Sequence, residues 1–553
     1  MSAEATPGAP RVPRISVLTA VYDPPLDAFD DTAASMLAQG FTDWEWLLVD
    51  DRSPHPEVRE RLRALAAADP RVTVHERETN GGIVAASNDA LSRARGEFVA
   101  LLDHDDVLTP DALQVMVDAI DDVVAEVDDV SDVKDAVPPE RAPREVDYLY
   151  SDQDLMRRGG QTFDAFRKPD WSPERLRHHM YTGHFSVLRR SLVLEVGGFR
   201  AAYDGSQDHD LVLRVTERAR AVVHVPRVLY HWRQVEGSAA DDPHAKPYAW
   251  NAGVRAVQDH LDRVGIPARV EKGERPGRYV VHREPDLTTP VSVVIPTRGS
   301  RGLIWGSERI MVVEAVRSVR ARSRHEQVEF VVVYDTDTPA AVLDALRALA
   351  DSDRVDLTLV PYEPPFNFSE KCNLGALHAR HDTLVFLNDD VEAESEGVLE
   401  QLIAPLREPG VGMTGPKLFF EDLHIQHAGV SYGSGTIAHM YHHAGPHNYG
   451  HHGELFMNRE VTALTGACVA VRRSVFEEVG GFSEAFPMNY NDVDFSLKVG
   501  RLGLRRVWLA GCTLFHFESV TRSNVVHDEE KKRIVRRWGN YLVVRERYSS
   551  NVR

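Results

Sequence analysis

Cysteine is scarce in this chain: Cys372, Cys468 and Cys512 are the only three in 553 residues, and none sits in a Cys-x-x-Cys spacing. That excludes a disulfide framework and a thiolate zinc site, and it fits a reducing compartment such as the cytoplasm. Positive charge is short as well, since 64 Lys and Arg against 84 Asp and Glu leave a net charge of −20. Nucleic acid as main partner is set aside, because displacing phosphate counterions needs a basic stripe. No run reaches 18 apolar residues, and residues 1–13, rich in Ala and Pro, lack the apolar core of a signal peptide. The expectation is a soluble protein, or one resting on the inner face of a membrane. Three motifs are also missing: the Gly-x-x-x-x-Gly-Lys-Ser/Thr phosphate loop, a Gly-x-Gly-x-x-Gly after the first strand, and a Gly-x-Ser-x-Gly elbow.

What the chain does contain, it contains twice. Asp51 recurs as Asp335, Asn88 as Asn373, Asp105 as Asp390, Gly197-Gly198-Phe199 as Gly480-Gly481-Phe482, Asp208 as Asp492 and His231 as His516, each pair 283 to 285 residues apart. An offset so steady means two copies of one domain, since solenoid periods are only about 20 to 50 residues. The expected layout is a disordered N-terminus (1–13), a first domain (14–270) with an acidic insertion at 121–147, a linker (271–290), a second domain (291–525) and a basic C-terminal segment (526–553).

Both copies open on near-continuous apolar runs, Ile15 to Thr19 and Val291 to Thr297. Such runs suit parallel strands covered on both faces by helices. Strands alternating with amphipathic helices, such as Val58, Leu62, Leu65 and Ala66, predict an α/β fold with mainly parallel sheets. Ligands of such sheets gather outside the carboxyl ends of the strands, where Asp51, Asp335, Asp103-His104-Asp105-Asp106 and Asn388-Asp389-Asp390 fall. The second copy carries about eight extra residues near 298–309, after its first strand.

Asp103-x-Asp105 offers hard oxygen ligands to Mg²⁺ or Mn²⁺, although an acidic pair at a strand end is also common as solvated decoration. Recurrence at Asp390, and of His231 as His516, favours a cation site with an imidazole ligand. Asp208 and Asp492 each open a helix-like run and are followed two residues later by a second acid, Asp210 or Asp494. Asp at a helix start is commonly a cap; one facing a cleft is a candidate general base. Asn80-Gly81-Gly82 offers backbone N–H groups to an anion. Between 437 and 452 lie six histidines at irregular spacing, read as a polar loop beside the acceptor, with adventitious zinc binding as the alternative. Lys531 to Arg547 reads as a helix with one basic face, which either docks on its own domain or rests on an anionic membrane.

Ser16 to Tyr22, Val49-Asp50-Asp51, Asn80 to Asn88, Leu102 to Asp106, Val196 to Phe199 and Gln207 to Leu211 together resemble the family 2 glycosyltransferases of GT-A (Rossmann-like) fold. The second copy resembles them through Ile295-Pro296-Thr297, Asn388 to Asp390, Thr465-Gly466-Ala467, Gly480 to Phe482, Asn491 to Asp494 and His516 to Ser519. The resemblance implies a nucleoside diphosphate sugar donor, UDP- or dTDP-linked, Mn²⁺ or Mg²⁺, and an inverting displacement onto a glycan or lipid-linked glycan of the bacterial surface. It implies donor contacts from Asp51, Asn88, Asp103, Asp335, Asn373 and Asn388, metal ligands Asp105, His231, Asp390 and His516, and bases Asp208 and Asp492. Asp152 and Trp171 lie where relatives build the acceptor site. Two working sites are expected, against one site with the other copy as an acceptor platform, or a non-catalytic glycan-binding scaffold.

Overall fold

The computed structural model describes residues 12–125, 145–234, 247–353, 355–433, 436–517, 528–542 and 546–549. Most of the acidic insertion and of the N-terminal segment lies outside the described residues, although a helix, Ala112–Ala125, runs into the insertion. Two compact units result: Met1–Trp171 with Leu176–His282, and Ser172–Arg175 with Arg283–Arg553.

In the first unit β1 (Ile15–Val21), β2 (Trp44–Asp50), β3 (Val72–Glu76), β4 (Phe98–Leu101), β5 (Val107–Leu108), β6 (Tyr148–Met156), β7 (Thr162–Phe166), β8 (Ser186–Arg189) and β9 (Val222–Arg233) form one sheet. Its order is 3-2-1-4-8-6-9-5, with β7 on β6. Strands β1 to β4 are mutually parallel, β8 runs antiparallel between β4 and β6, and β9 is parallel to β6. The second unit repeats this order with Asp356–Tyr362, Val328–Asp335, Val291–Thr297, Thr383–Leu387, Cys468–Arg472, Val411–Phe419, Arg505–His516 and Val391–Ala393. The continuous apolar runs are explained by burial on both faces. Ile15, Val17, Trp46 and Leu48 point into one core, while Leu18, Leu47 and Val49 point into another. Val291, Val293 and Ile295 oppose Val294, Val331 and Val333 in the same way.

A buried polar lock fixes the foot of each sheet. Ser16 donates to Glu45 at 2.6 Å, and Glu45 accepts from the backbone and guanidinium of Arg95. Ser292, Glu329 and Arg380 repeat it. The eight extra residues form the hairpin Arg301–Ile304 and Ser307–Ile310. The stretch expected as a linker instead carries a two-stranded sheet, Ala268–Lys272 with Tyr279–Arg283, whose Val270, Tyr279 and Val281 enter the first unit's core. Each unit also carries a later helix packed on the one that bears the candidate base: Pro247–Arg263 lies against Gln207–Thr216 in the first unit, and in the second Trp538 of Asp528–Leu542 donates to Asp494 at 2.8 Å.

Asn88 and Asn373 act on the Gly-Gly-Phe turns. Each side-chain amide accepts from and donates to the Phe199 or Phe482 backbone, at 2.8 to 2.9 Å. Gly198 and Gly481 both sit at φ +63°, and a Cβ there would stand 2.7 Å from the amide oxygen of Asn88 or Asn373. The preceding Gly197 and Gly480 are also left-handed but open on space. Gly480→Ala therefore carries only the backbone cost, roughly 1–2 kcal/mol, whereas Gly481→Ala adds a clash worth about 1–3 kcal/mol more. Denaturant unfolding of the two variants should rank Gly481→Ala clearly lower; equal midpoints would show that the amide clamp is not rigid.

Candidate active site

The second unit has a cavity of about 260 Å³ at the carboxyl ends of its parallel strands. Thr297 and Arg298 close one side, Asn388, Asp389, Asp390 and His516 a second, and Gly466, Asn491 and Asp492 a third. The parallel pairing of Val294 with Phe386 brings Thr297 and Asn388 to the same edge. Asp389 points inward and accepts from the Thr297 hydroxyl at 2.6 Å, and burial, then the adjacent Asp390, pushes its carboxyl up to about 7. Asn388 and Asp390 meet His516 instead. The His516 Nδ1 lies 2.7 Å from the Gln426 side-chain oxygen, which only accepts, so Nδ1 carries the hydrogen. Its Nε2 then turns a lone pair toward Asp390 Oδ1 at 3.1 Å, with the Asn388 amide nitrogen at 3.2 Å. That lone pair accepts from the Asn388 amide, with the carboxylate beside it. Imidazole and carboxylate with an outer partner holding the ring is a donor set that fits a divalent ion.

Asp335 lies beside this cavity rather than among its lining residues. It is paired with the Lys371 ammonium at 2.7 Å, which also donates to the Thr297 carbonyl, and with Arg298 at 3.5 Å. Burial, opposed by Asp335, lowers the Lys371 pKa.

In the first unit the ligand atoms of Asp103, Asp106 and His184 lie within 4.8 Å of one another, again a donor set suited to a divalent ion. Asp105 is outside that group; burial raises its carboxyl, with Asp103 adding and His104 opposing. Asp106 is fully buried, accepting from the Tyr230 hydroxyl and from the Arg233 backbone at 2.7 Å. Burial and then the charges of Asp103 and Asp105 hold it well above the usual range. His231 is also outside the group, its Nδ1 2.6 Å from Asp154 Oδ1. The loop is one residue longer than in the second unit, because Val107 pairs with His231 where Val391 pairs with His516.

The two acids at each helix start divide their work. Asp210, fully buried, is gripped by Arg200 and Arg214, and Arg214 also holds the Val196 and Gly198 carbonyls. Asp494 takes Trp538 at 2.8 Å, Arg537 at 3.0 Å and Lys498 at 3.8 Å, and Lys498 holds the Gly481 carbonyl. The first acid stays on the open side: Asp208 accepts from the His209 backbone, and Asp492 from the Gly466 and Val493 backbones at 3.0 and 2.8 Å while lining the cavity.

Other expected contacts are placed differently. The Gly81 and Gly82 N–H groups already hold the carboxylate of Asp51, at 2.9 and 2.7 Å, together with Arg77. Their anion is the protein's own. Asp152 is buried against His224 at 2.8 Å, whose other nitrogen meets Asp170 at 2.9 Å, and Trp171 packs half-buried on the core. Of the clustered histidines, His439 reaches the cavity and contacts His427 at 2.8 Å. The apolar face of the C-terminal helix, with Ile534 and Trp538, is buried in its own unit, and its Glu530 accepts from the Met488 and Asn489 backbones at the cavity wall. Among the described residues no helix is long and apolar enough to cross a membrane.

The model of glycosyl transferase family 2 matches residues 16–197 and again 292–480. A Sinorhizobium fredii protein described as uncharacterized protein y4gI is 36% identical over 98% of this chain and 58% of its own length. The O-antigen biosynthesis protein RfbC of Myxococcus xanthus is 34% identical over 94% of this chain and 38% of its own. The chain thus spans little more than half, or less, of these relatives. Among solved structures, Staphylococcus aureus TarS 1–349 with UDP covers 45% of this chain and 65% of its own at 19% identity and a TM-score of 0.32.

Because Asp494 answers two side-chain donors and a nearby ammonium, and Asp492 only backbone N–H groups, their substitutions separate. Asp494→Asn should lower the unfolding midpoint by the equivalent of about 2 kcal/mol or more, and Asp492→Asn should leave it nearly unchanged. Thermal melts of both variants check this, and equal losses would put both carboxylates in the scaffold.

Proposed function

The chain belongs to glycosyl transferase family 2, and we propose that each of its two GT-A-like units is an inverting, metal-dependent transferase acting on nucleoside diphosphate sugars. The observation that carries the reading is the single cavity holding Asp492, the Asn388–Asp390 motif and His516. A base and a cation site sharing one small space are what a displacement at an anomeric carbon requires.

In the second unit Asp492, oriented by the Gly466 and Val493 N–H groups, takes the proton of an acceptor hydroxyl as that oxygen bonds to the anomeric carbon and the bond to the diphosphate breaks. Asn388, Asp390 and His516 would hold the cation, with Asn388 on the donor side. A bound Mn²⁺ or Mg²⁺ supplies positive charge to the departing diphosphate. In the first unit Asp208 is the base and Asp103 faces the donor and cation, with Asp105 and His231 flanking that group rather than belonging to it; Trp171 borders the acceptor side, and Asp152 acts there only through the His224 ring it holds. Asp51 and Asp335 border the nucleotide through the cations they hold, Arg77 and Lys371. Asn88 and Asn373 support the donor side indirectly, by fixing the turn before each base helix.

The acceptor we assign is a growing bacterial surface glycan, free or lipid-linked, in keeping with the O-antigen role in the name of the Myxococcus relative. The exposed Lys531, Lys532, Arg533 and Arg536 of the C-terminal helix provide a basic face for peripheral attachment to the cytoplasmic side of an anionic membrane. Donor identity rests on a UDP or dTDP base.

Asp208→Asn and Asp492→Asn should each abolish one of two transfers, by about 10² to 10⁴ fold, read as nucleoside diphosphate release with the linkages of the product determined. One silent substitution would leave a single working site with the other unit as platform. If both linkages form at the normal rate in both variants, the base assignment is wrong.

A further inference from the structure

One imidazole near the strand-end acids of the first unit has no counterpart in the second. The pairings Leu101 with Ser186 and Phe386 with Val469 bring Thr182-Gly183-His184 into register with Thr465-Gly466-Ala467. His184 therefore stands where the second unit has Ala467, at the edge of the sheet where β4 and its antiparallel neighbour β8 meet.

We infer that His184 is a ligand of the first unit's cation, together with Asp103 and Asp106. This rests on the reading of the unit as metal-dependent. Three observations support it. Ligand atoms of the three side chains fall within 4.8 Å of one another although His184 comes from a segment far in sequence from the loop that carries Asp103 and Asp106. The His184 Nε2 stands 3.9 Å from Asp103 Oδ2, too far for a hydrogen bond, yet two ligands about 2.1 Å from one ion are separated by roughly 3 to 4 Å. Among the described residues no hydrogen bond engages the His184 ring.

The ring is nevertheless held in place. It stacks on Tyr230 at 4.7 Å and 13° and leans on Trp232, and the same Tyr230 hydroxyl donates to Asp106. One aromatic side chain thus orients two of the three ligands. The His184 backbone is pinned at both ends, its N–H donating to Gln153 at 3.1 Å and its carbonyl accepting from the buried Lys168 ammonium. Such support is typical of a ligand whose direction matters. An imidazole that the second unit lacks at this position also favours Mn²⁺ over Mg²⁺ at the first site.

The test uses the full chain and Mn²⁺ alone. Titration followed by electron paramagnetic resonance should resolve two classes of site, and His184→Ala should weaken one of them about tenfold or more while leaving the other within about twofold. In the unmodified chain, Mn²⁺ should protect His184 from diethyl pyrocarbonate, mapped by peptide mass spectrometry, and Asp103→Asn should abolish that protection. This second measurement holds even if His184→Ala fails to fold. Mn²⁺ bound with His184 equally reactive in its presence and absence, or affinities unchanged in His184→Ala, would overturn the inference alone. No Mn²⁺ bound anywhere would instead overturn metal dependence, and this inference with it.

Discussion

Each unit crowds carboxylates onto the carboxyl edge of one sheet, and a buried carboxylate without a donor is expensive. Most of these acids are therefore answered locally. Asp51 has Arg77 and two glycine N–H groups, Asp335 has Lys371 and Asp389 has Thr297; Asp106 accepts from Tyr230 and the Arg233 backbone yet keeps its place beside Asp103 and His184. Asp210 and Asp494 are each satisfied by basic side chains. What this leaves is a short set facing outward: Asp103, Asp208 and Asp492, with Asp390 turned to His516. The site is defined by which carboxylates the scaffold does not consume.

The two units meet that constraint with different residues. Arg77, just after β3, neutralises Asp51, whereas Asp335 is neutralised from a helix, by Lys371. Arg214 and Lys498 both reach back from the base helix to a Gly-Gly turn. Asp154 holds the His231 ring, where Gln426 holds that of His516. A carboxylate and an amide thus hold equivalent imidazoles in the two units.

Much of this was legible from sequence, for physical reasons. Two-sided burial forces continuous apolar strands, so Val291 to Thr297 announced its sheet, and a repeated offset located the strand-end acids. Less legible was the division of labour inside each acidic cluster. Asp208 and Asp210 are the same residue type two positions apart, and only Arg200 and Arg214, which grip Asp210, distinguish them. Gly81 and Gly82 carry a signature for a foreign anion, yet Asp51 occupies their N–H groups from across the loop. Asn88 and Asn373 recur as faithfully as any site residue because a turn needs them. His184 was missed because it breaks the repeat with Ala467; comparing the copies for differences, rather than identities, is the signal that finds it.

The sequence of the C-terminal helix allows docking on its own domain or rest on a membrane, and its apolar face takes the first course. Its alternation of basic and apolar residues suits a membrane surface as well as a protein surface, and periodicity alone does not separate the two. The repeat does: Pro247–Arg263 follows β9 as Asp528–Leu542 follows Arg505–His516. Both helices pack on the helix that begins with the candidate base, and the second contributes Glu530 to the Met488 and Asn489 backbones beside Asp492. The family match stops at 197 and 480, before either base. Each candidate base thus sits on a helix packed against another lying about 40 residues further on in sequence. An element that looked like an appendage is, in each unit, the back wall against which the base is set.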